Sequence, residues 1–267
     1  MVSPKIALIT FFMSLLASNV YAQFESNLIT GVSWLKSVQS EDGSWGDEGE
    51  KYVNTLESVA ALRLSGIRSS SYYRGLNWLE NHEGNNVDFQ SRRASLLFDH
   101  GNDVVSSHYD FLSGAMKSTK GWGLSSHYSY SSLDTACVLE SLMTQGASLE
   151  LGLFSVQPVL DQMKNSFLND SRYDLGWGGT FSTNADPFIT AVVVKNISGW
   201  AAYDSSLTGY INSAIATLSN NVTTSSPVFL QGVAAQAALK AQSVQEANVW
   251  LSYLASSQSS AGHWENS

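Results

Sequence analysis

The feature that most constrains this chain is a short pattern that occurs twice. Trp34-Leu35-Lys36-Ser37-Val38-Gln39-Ser40-Glu41-Asp42-Gly43-Ser44-Trp45 aligns residue for residue with Tyr253-Leu254-Ala255-Ser256-Ser257-Gln258-Ser259-Ser260-Ala261-Gly262-His263-Trp264. An aromatic residue, Leu, Gln, Gly and Trp recur in one register, 219 residues apart. Weaker copies lie between. Aromatic–Leu pairs stand at Trp78-Leu79, Phe111-Leu112 and Phe167-Leu168, with a decayed copy at Thr217-Leu218. Gly121-Trp122-Gly123 and Gly176-Trp177-Gly178 echo Trp45-Gly46. The mean spacing of about 44 residues is that of stacked helical hairpins or propeller blades.

The intervening segments favour hairpins. Leu56, Val59, Ala60 and Leu62 have helical spacing, as do Ala136, Leu139, Leu142 and Met143, and Val233, Ala234, Ala237 and Ala238. Ala-rich runs of this length prefer helix to strand. Start signals precede several runs: Asn54-Thr55-Leu56-Glu57, Asp134 before Thr135, and Asp186-Pro187. Gly66, Gly146 and Gly199 read as stops. Each unit then reads as a first helix opening at the aromatic–Leu pair, a Gly-Trp loop and a more apolar second helix. The expectation is an all-α toroid of about six hairpins, second helices inside and first helices outside. The last hairpin is incomplete, because its second helix does not follow Trp264. On that ground the chain is expected to continue into further domains, unless Phe24 to Ile29 closes the ring.

Gln39 and Gln258 can each donate and accept, and so satisfy backbone groups at a helix end. Gly43 and Gly262 permit the turn that returns Trp45 and Trp264 over that amide. These six residues are read as structural. They account for part of the aromatic content of 11% without invoking chemistry.

Residues 1–22 read as a signal peptide and 23–267 as one repeat domain. Lys5 supplies the positive start, Ile6 to Ala17 the apolar stretch, and Val20-Tyr21-Ala22 the small residues before a cleavage site. The mature chain has no candidate membrane span, and its expected location is secreted or in the cell envelope. With 14 Lys and Arg against 23 Asp and Glu, and only the pair Arg92-Arg93 clustered, nucleic acid is excluded as a partner. One Cys excludes a disulfide framework.

The two full patterns resemble the QW motif of the terpenoid cyclase and protein prenyltransferase superfamily, most closely the bacterial squalene–hopene cyclase repeats. Leu133-Asp134-Thr135-Ala136 also resembles that family's second-helix start. The resemblance covers residues 24–267, with the units over 73–100 and 205–241 degenerate. It implies an α/α toroid and draws attention to Asp134. Cyclases of this kind begin with Asp-x-Asp-Asp, whose middle acid protonates an alkene or epoxide. The matching residues here are Ser131, Ser132, Leu133 and Asp134, so Leu133 stands at the donor position. Asp134 is a substitute acid on one reading and a helix cap on the other, and the cap is favoured.

The prenyltransferase relatives bind zinc through Asp-x-Cys and a distant His. Asp134 and Cys137, with His127 or His108, depart from that spacing, and no metal or cofactor is expected. Cys137 is followed by Val138-Leu139-Glu140, which excludes the thioester of the complement relatives. Asp99-His100-Gly101-Asn102-Asp103 through His108-Tyr109-Asp110 gathers acids and histidines in an expected polar loop. Candidate cavity residues are Trp122, Tyr128, Tyr130, Trp177, Phe181 and Asp186, fitted to an apolar, glycan or protein ligand. The reading that follows is an exported, non-catalytic ligand- or protein-binding toroid. Its rivals are a terpenoid cyclase-like isomerase using Asp134 and a toroid-fold polysaccharide-active enzyme.

Overall fold

The computed structural model describes residues 24–264 apart from 99, 101–104, 147–149, 152–153, 170–174, 181 and 183. The leader read over 1–22 lies outside the described residues. The described chain is helical: α1 over 24–37, α2 Lys51–Leu64, α3 Ser70–Asn81, α4 Val87–Phe98, α5 Val105–Ala115 and α6 Ser132–Thr144. Then come α7 Gln157–Asn165, α8 Pro187–Ile197, α9 Leu207–Asn221, α10 Val228–Lys240 and α11 Val244–Ser257. A two-residue ribbon, β1 Glu150–Leu151 against β2 Phe154–Ser155, is the one antiparallel pair of strands among the described residues. No described helix is long and apolar enough to cross a membrane.

The helices alternate between two layers. The second helices α2, α4, α6, α8 and α10 pack side by side in sequence order, and α3, α5, α7, α9 and α11 pack against them. This is the expected α/α toroid. The units that are degenerate in sequence are structurally complete hairpins, α3–α4 and α9–α10. After α11 and its loop, no second helix follows among the described residues.

The repeat motif explains how units join. The Gln39 amide donates to the Gly43 carbonyl at 2.8 Å and to the Ser71 carbonyl in α3 at 2.9 Å. The Gln258 amide donates to the Gly262 carbonyl at 2.9 Å and to the Asn27 carbonyl in α1 at 3.0 Å. Asn27 answers with a 2.9 Å bond from Nδ2 to Gln258 Oε1. A Cβ on Gly43 would lie 2.7 Å from the Arg74 oxygen, and one on Gly262 would lie 2.3 Å from the Thr30 oxygen. Both glycines have φ of +94°. Each loop therefore docks on the first helix of the next unit. The last loop docks on α1 in the same way, so α1 joins the two ends of the ring.

The motif's Trp caps a helix. The last carbonyls of an α-helix lack intrahelical donors. Trp45 Nε1 donates to Leu35 O at 2.8 Å, Trp122 Nε1 to Leu112 O at 2.8 Å and Trp264 Nε1 to Leu254 O at 2.7 Å. Trp177 does the same for Met163 O at 2.9 Å. This corrects the placing of Trp34-Leu35, Trp78-Leu79, Phe111-Leu112 and Tyr253-Leu254 at helix starts. They lie in the C-terminal halves of α1, α3, α5 and α11; the Leu carbonyl meets the returning indole in α1, α5 and α11, and the Arg93 guanidinium in α3. Three second helices then hold the loop by a Thr. Thr55, Thr135 and Thr190 accept from the backbone N–H of Trp45, Trp122 and Trp177 at 3.0, 2.9 and 3.0 Å.

Other local expectations shift by a turn. The helix α2 starts at Lys51, so Asn54 and Thr55 lie inside it. Gly66 and Gly146 take positive φ beyond α2 and α6, as stop glycines do. Gly199 does not. The chain runs from α8 directly into a 3₁₀ turn, Ser198–Ala202, that buries Trp200 with its indole on Leu139 O at 3.0 Å. His108, Tyr109 and Asp110, expected in a loop, belong to α5. Asp99 and 101–103 lie outside the described residues.

Candidate functional site

The acid singled out in the sequence lies in the first turn of the inner helix α6, which packs between α4 and α8. Ser131 is the N-cap of α6, with its hydroxyl accepting from Asp134 N at 3.3 Å. Asp134 is thus the third residue of the helix and not its cap, because the hydroxyl three residues earlier already fills that place. The Asp134 carboxyl is buried. Burial pushes its pKa up to about 6; a Ser131 hydrogen bond works against the rise, and the Asp88 carboxylate adds to it. Leu133, at the donor position of the cyclase resemblance, precedes it.

On α4, Asp88 and Arg92 are one turn apart and face each other, Arg92 Nη2 to Asp88 Oδ2 at 2.7 Å. Arg92 Nη1 also reaches Glu57 on α2. Burial opposes the Arg92 charge, but the Asp88 and Glu57 carboxylates outweigh it and hold the guanidinium protonated. Cys137, one turn along α6 from Asp134, is a buried free thiol whose pKa burial raises well above normal. Asn196 on α8 points Nδ2 at its sulfur, 3.6 Å away. Asp88 Oδ1, Arg92 Nε and Asn196 Oδ1 are buried with no hydrogen-bond partner. Such atoms gather where water or a ligand completes the bonding.

Spacing along the sequence did not reveal Glu57, Asp88 or Asn196, because they come from three different helices. The signal that existed was the helical i, i+4 pair Asp88 and Arg92. Arg92 entered only as half of a basic pair, which the structure splits. Arg93 turns the other way and caps α3, with Nε on Leu79 O at 2.7 Å and Nη2 on Glu80 O at 2.9 Å.

The expected cavity residues scatter. The rings of Trp122 and Trp177 are fully buried in the helix-capping role already described. Tyr128 is 59% exposed on the third loop, between α5 and α6; the fourth loop joins α7 to α8. Asp186 caps α8, accepting from Ile189 N at 2.9 Å, with Pro187 at the first position as expected. Phe181 lies outside the described residues. Tyr130 does line a cleft of about 400 Å³ between the third and fourth loops. Its hydroxyl meets Ser166 Oγ at 2.9 Å and Met163 Sδ at 3.2 Å. His108 is buried against Ser141 Oγ at 3.2 Å, and burial lowers its pKa to about 4. His127 is exposed on the third loop. Among the described residues, no group of three or more His, Cys, Asp or Glu is placed to hold a metal ion.

The sequence matches no protein-family model and no curated protein. Solved structures do resemble it. The type II terpene cyclase MstE from Scytonema, with its product merosterolic acid A, superposes at TM-score 0.65 and 11% identity, over 93% of this chain and 84% of that one. The same cyclase with its substrate geranylgeranyl dihydroxybenzoate gives TM-score 0.65 and 12% identity over 92% and 82%. A protein from Actinoplanes gives TM-score 0.64 and 13% identity over 90% and 83%. Identity at this level speaks to architecture, and the architecture is that of the terpenoid cyclases: the chain has a terpenoid cyclase-like α/α-toroid fold.

Proposed function

We propose that this chain is an exported, non-catalytic toroid that binds a ligand or protein at the cell surface or in the envelope. The observation that carries the reading is the polar wall beside Asp134. A cyclase must raise and then shelter a carbocation. Here the donor position is Leu133, and the nearby Asp88 holds the Arg92 guanidinium. The Arg92, Asp88 and Glu57 charges pair with one another and stay fixed, where a carbocation needs the π faces of aromatic rings. Phe188 and Phe229, the second residues of α8 and α10, support a binding role. Their rings meet edge-on at 5.8 Å, yet remain 37% and 62% exposed. An exposed aromatic pair of this kind suits an interface.

The test is incubation of the purified chain with squalene and with geranylgeranyl dihydroxybenzoate. No cyclised product is expected. Product that disappears in Asp134→Asn overturns the reading. N-terminal sequencing of the exported protein is expected to begin at Gln23, and an intact Met1 overturns the export claim.

A second reading, an isomerase with Asp134 as its acid, is favoured by one observation. A carboxyl with pKa near 6 is half protonated in mildly acidic water, as a proton donor needs to be. In that case turnover falls as pH rises through about 6. The same group gives a structural signature. Its folded pKa lies above the unfolded value, so ionisation at neutral pH opposes folding. Asp134→Asn is therefore expected to stabilise the protein at pH 7, by up to about 3 kcal/mol, and to have no effect below about pH 4.

A further inference from the structure

The cleft beside Tyr130 carries a chemistry of its own. Its hydroxyls come from Tyr130 and from Thr119, Ser129, Ser132, Ser166, Thr180 and Ser182. Gln162 on α7 adds an amide, and no described lining side chain carries a formal charge. Tyr130, Ser132 and Ser166 form a hydroxyl chain anchored on Met163 O, with Ser132 Oγ to Ser166 Oγ at 3.3 Å and Ser166 Oγ to the carbonyl at 2.9 Å. Thr119, Ser129 and Gln162 make no side-chain hydrogen bond to any described residue. The remaining wall is Leu168, the Tyr130 ring and the bare backbone of Gly178 and Gly179.

Each ligand class meets this wall differently. Among the described lining residues an anion finds no cation, and a cation finds no carboxylate. A pure hydrophobe would take hydroxyls and an amide out of water unpaired, at about 1–3 kcal/mol each. A ligand whose own groups both donate and accept, with apolar C–H faces between them, matches hydroxyls beside a ring. The volume is within the range of small-molecule sites.

We propose that the cleft between the third and fourth loops binds a neutral saccharide. This rests on the reading of the chain as a binding toroid, and it places the ligand in a cleft whose lining does not include Asp134. The Gln162 amide and the Thr119 and Ser129 hydroxyls bond the sugar hydroxyls, while the Tyr130 ring and the glycine backbone receive its C–H face.

The probes are maltotriose, cellotriose and chitotriose, with trigalacturonate as the charged control, titrated by calorimetry and by amide NMR. At least one neutral trisaccharide is expected to bind with Kd of about 1 mM or tighter, shifting the amides of Gly178, Gly179 and Thr180. Gln162→Leu and Thr119→Val should each weaken binding about tenfold, a change of about 1.4 kcal/mol. Gly179→Ala places its Cβ 3.9 Å from Ile189 Cδ1, an ordinary contact, so the protein should fold, and the loss of bare backbone at this wall position should weaken binding. Three results overturn the proposal: no neutral trisaccharide shifting the cleft amides, binding indifferent to Gln162→Leu, or trigalacturonate binding more tightly. If the sugars fail and no cyclised product forms either, the saccharide falls and the binding toroid stands. Cyclisation lost in Asp134→Asn overturns the toroid reading by itself.

Discussion

The two complete motifs share their Gln and Trp side-chain hydrogen bonds and differ in burial. In the first loop Trp45 is 2% exposed; in the last, Trp264 is 38% exposed. Both indoles cap the helix before them, both Gln side chains hold the next first helix, and both glycines fit against a backbone carbonyl. What differs is the helix that comes next. Trp45 is covered by α2, whose Thr55 holds its backbone at 3.0 Å. Among the described residues no helix follows Trp264. The motif is thus complete in its own bonds, and burial of its Trp is supplied by the second helix of the unit.

The largest expected effect tests that division directly. Trp45→Ala should cost about 3–5 kcal/mol, as large-to-small changes in a packed core do. Trp264→Ala should cost less than half as much. Urea melts of the two variants check the difference, and equal losses would break the comparison. Next come the glycines, which sit in equivalent contacts. Gly43→Ala and Gly262→Ala each force an L-residue to φ of +94° against a carbonyl. Each should cost about 2 kcal/mol or more, to a similar extent, because the last loop docks on α1 as the first docks on α3. A harmless Gly262→Ala would mean that the ring is not held closed there.

Smaller effects sharpen the picture. Gln39→Leu and Gln258→Leu each leave the carbonyls of the neighbouring helix without their donor, at about 1–2 kcal/mol. Amide hydrogen exchange should locate the loosening in α3 for the first and in α1 for the second. The smallest effect separates the loops by pH. Asp42 accepts from Ser44 N at 3.0 Å and from Ser44 Oγ at 2.6 Å, and these bonds lower its pKa to about 2. Ala261 stands at the matching place in the last loop. The folded pKa is below the unfolded one, so this contribution is full above about pH 4 and is lost as pH falls through about 2. Asp42→Asn should lower Tm slightly at pH 7 and not at all at the acid end.

Much of the fold was legible because the bonds that define it are local. A Trp that caps the helix ten residues earlier leaves a fixed spacing in the chain, as Leu35 and Trp45 do. The same locality misled in one respect. An aromatic–Leu pair marks the capped end of a helix as well as it would mark a start, and spacing does not carry direction. The site was less legible. Asp134 could be found because it precedes Thr-Ala, but Asp88, which acts on it, and Asn196, which meets Cys137, come from other inner helices. The hydroxyl cleft joins two loops that the repeat keeps apart in sequence, so Ser132, Gln162 and Ser166 carried no mark.

By itself the sequence determined the repeat, the helical class and the six motif residues that join the units. These follow from short-range hydrogen bonding and from Ala-rich helical spacing, which each unit states independently. Only the tertiary structure decided that Ser131 takes the cap and leaves Asp134 buried, that Arg92 is held between Glu57 and Asp88, and that α1 receives the last loop. The physical reason is that burial and ion pairing are properties of side chains brought together from separate helices. A carboxyl in the chain has its ordinary pKa until neighbouring helices remove the water around it.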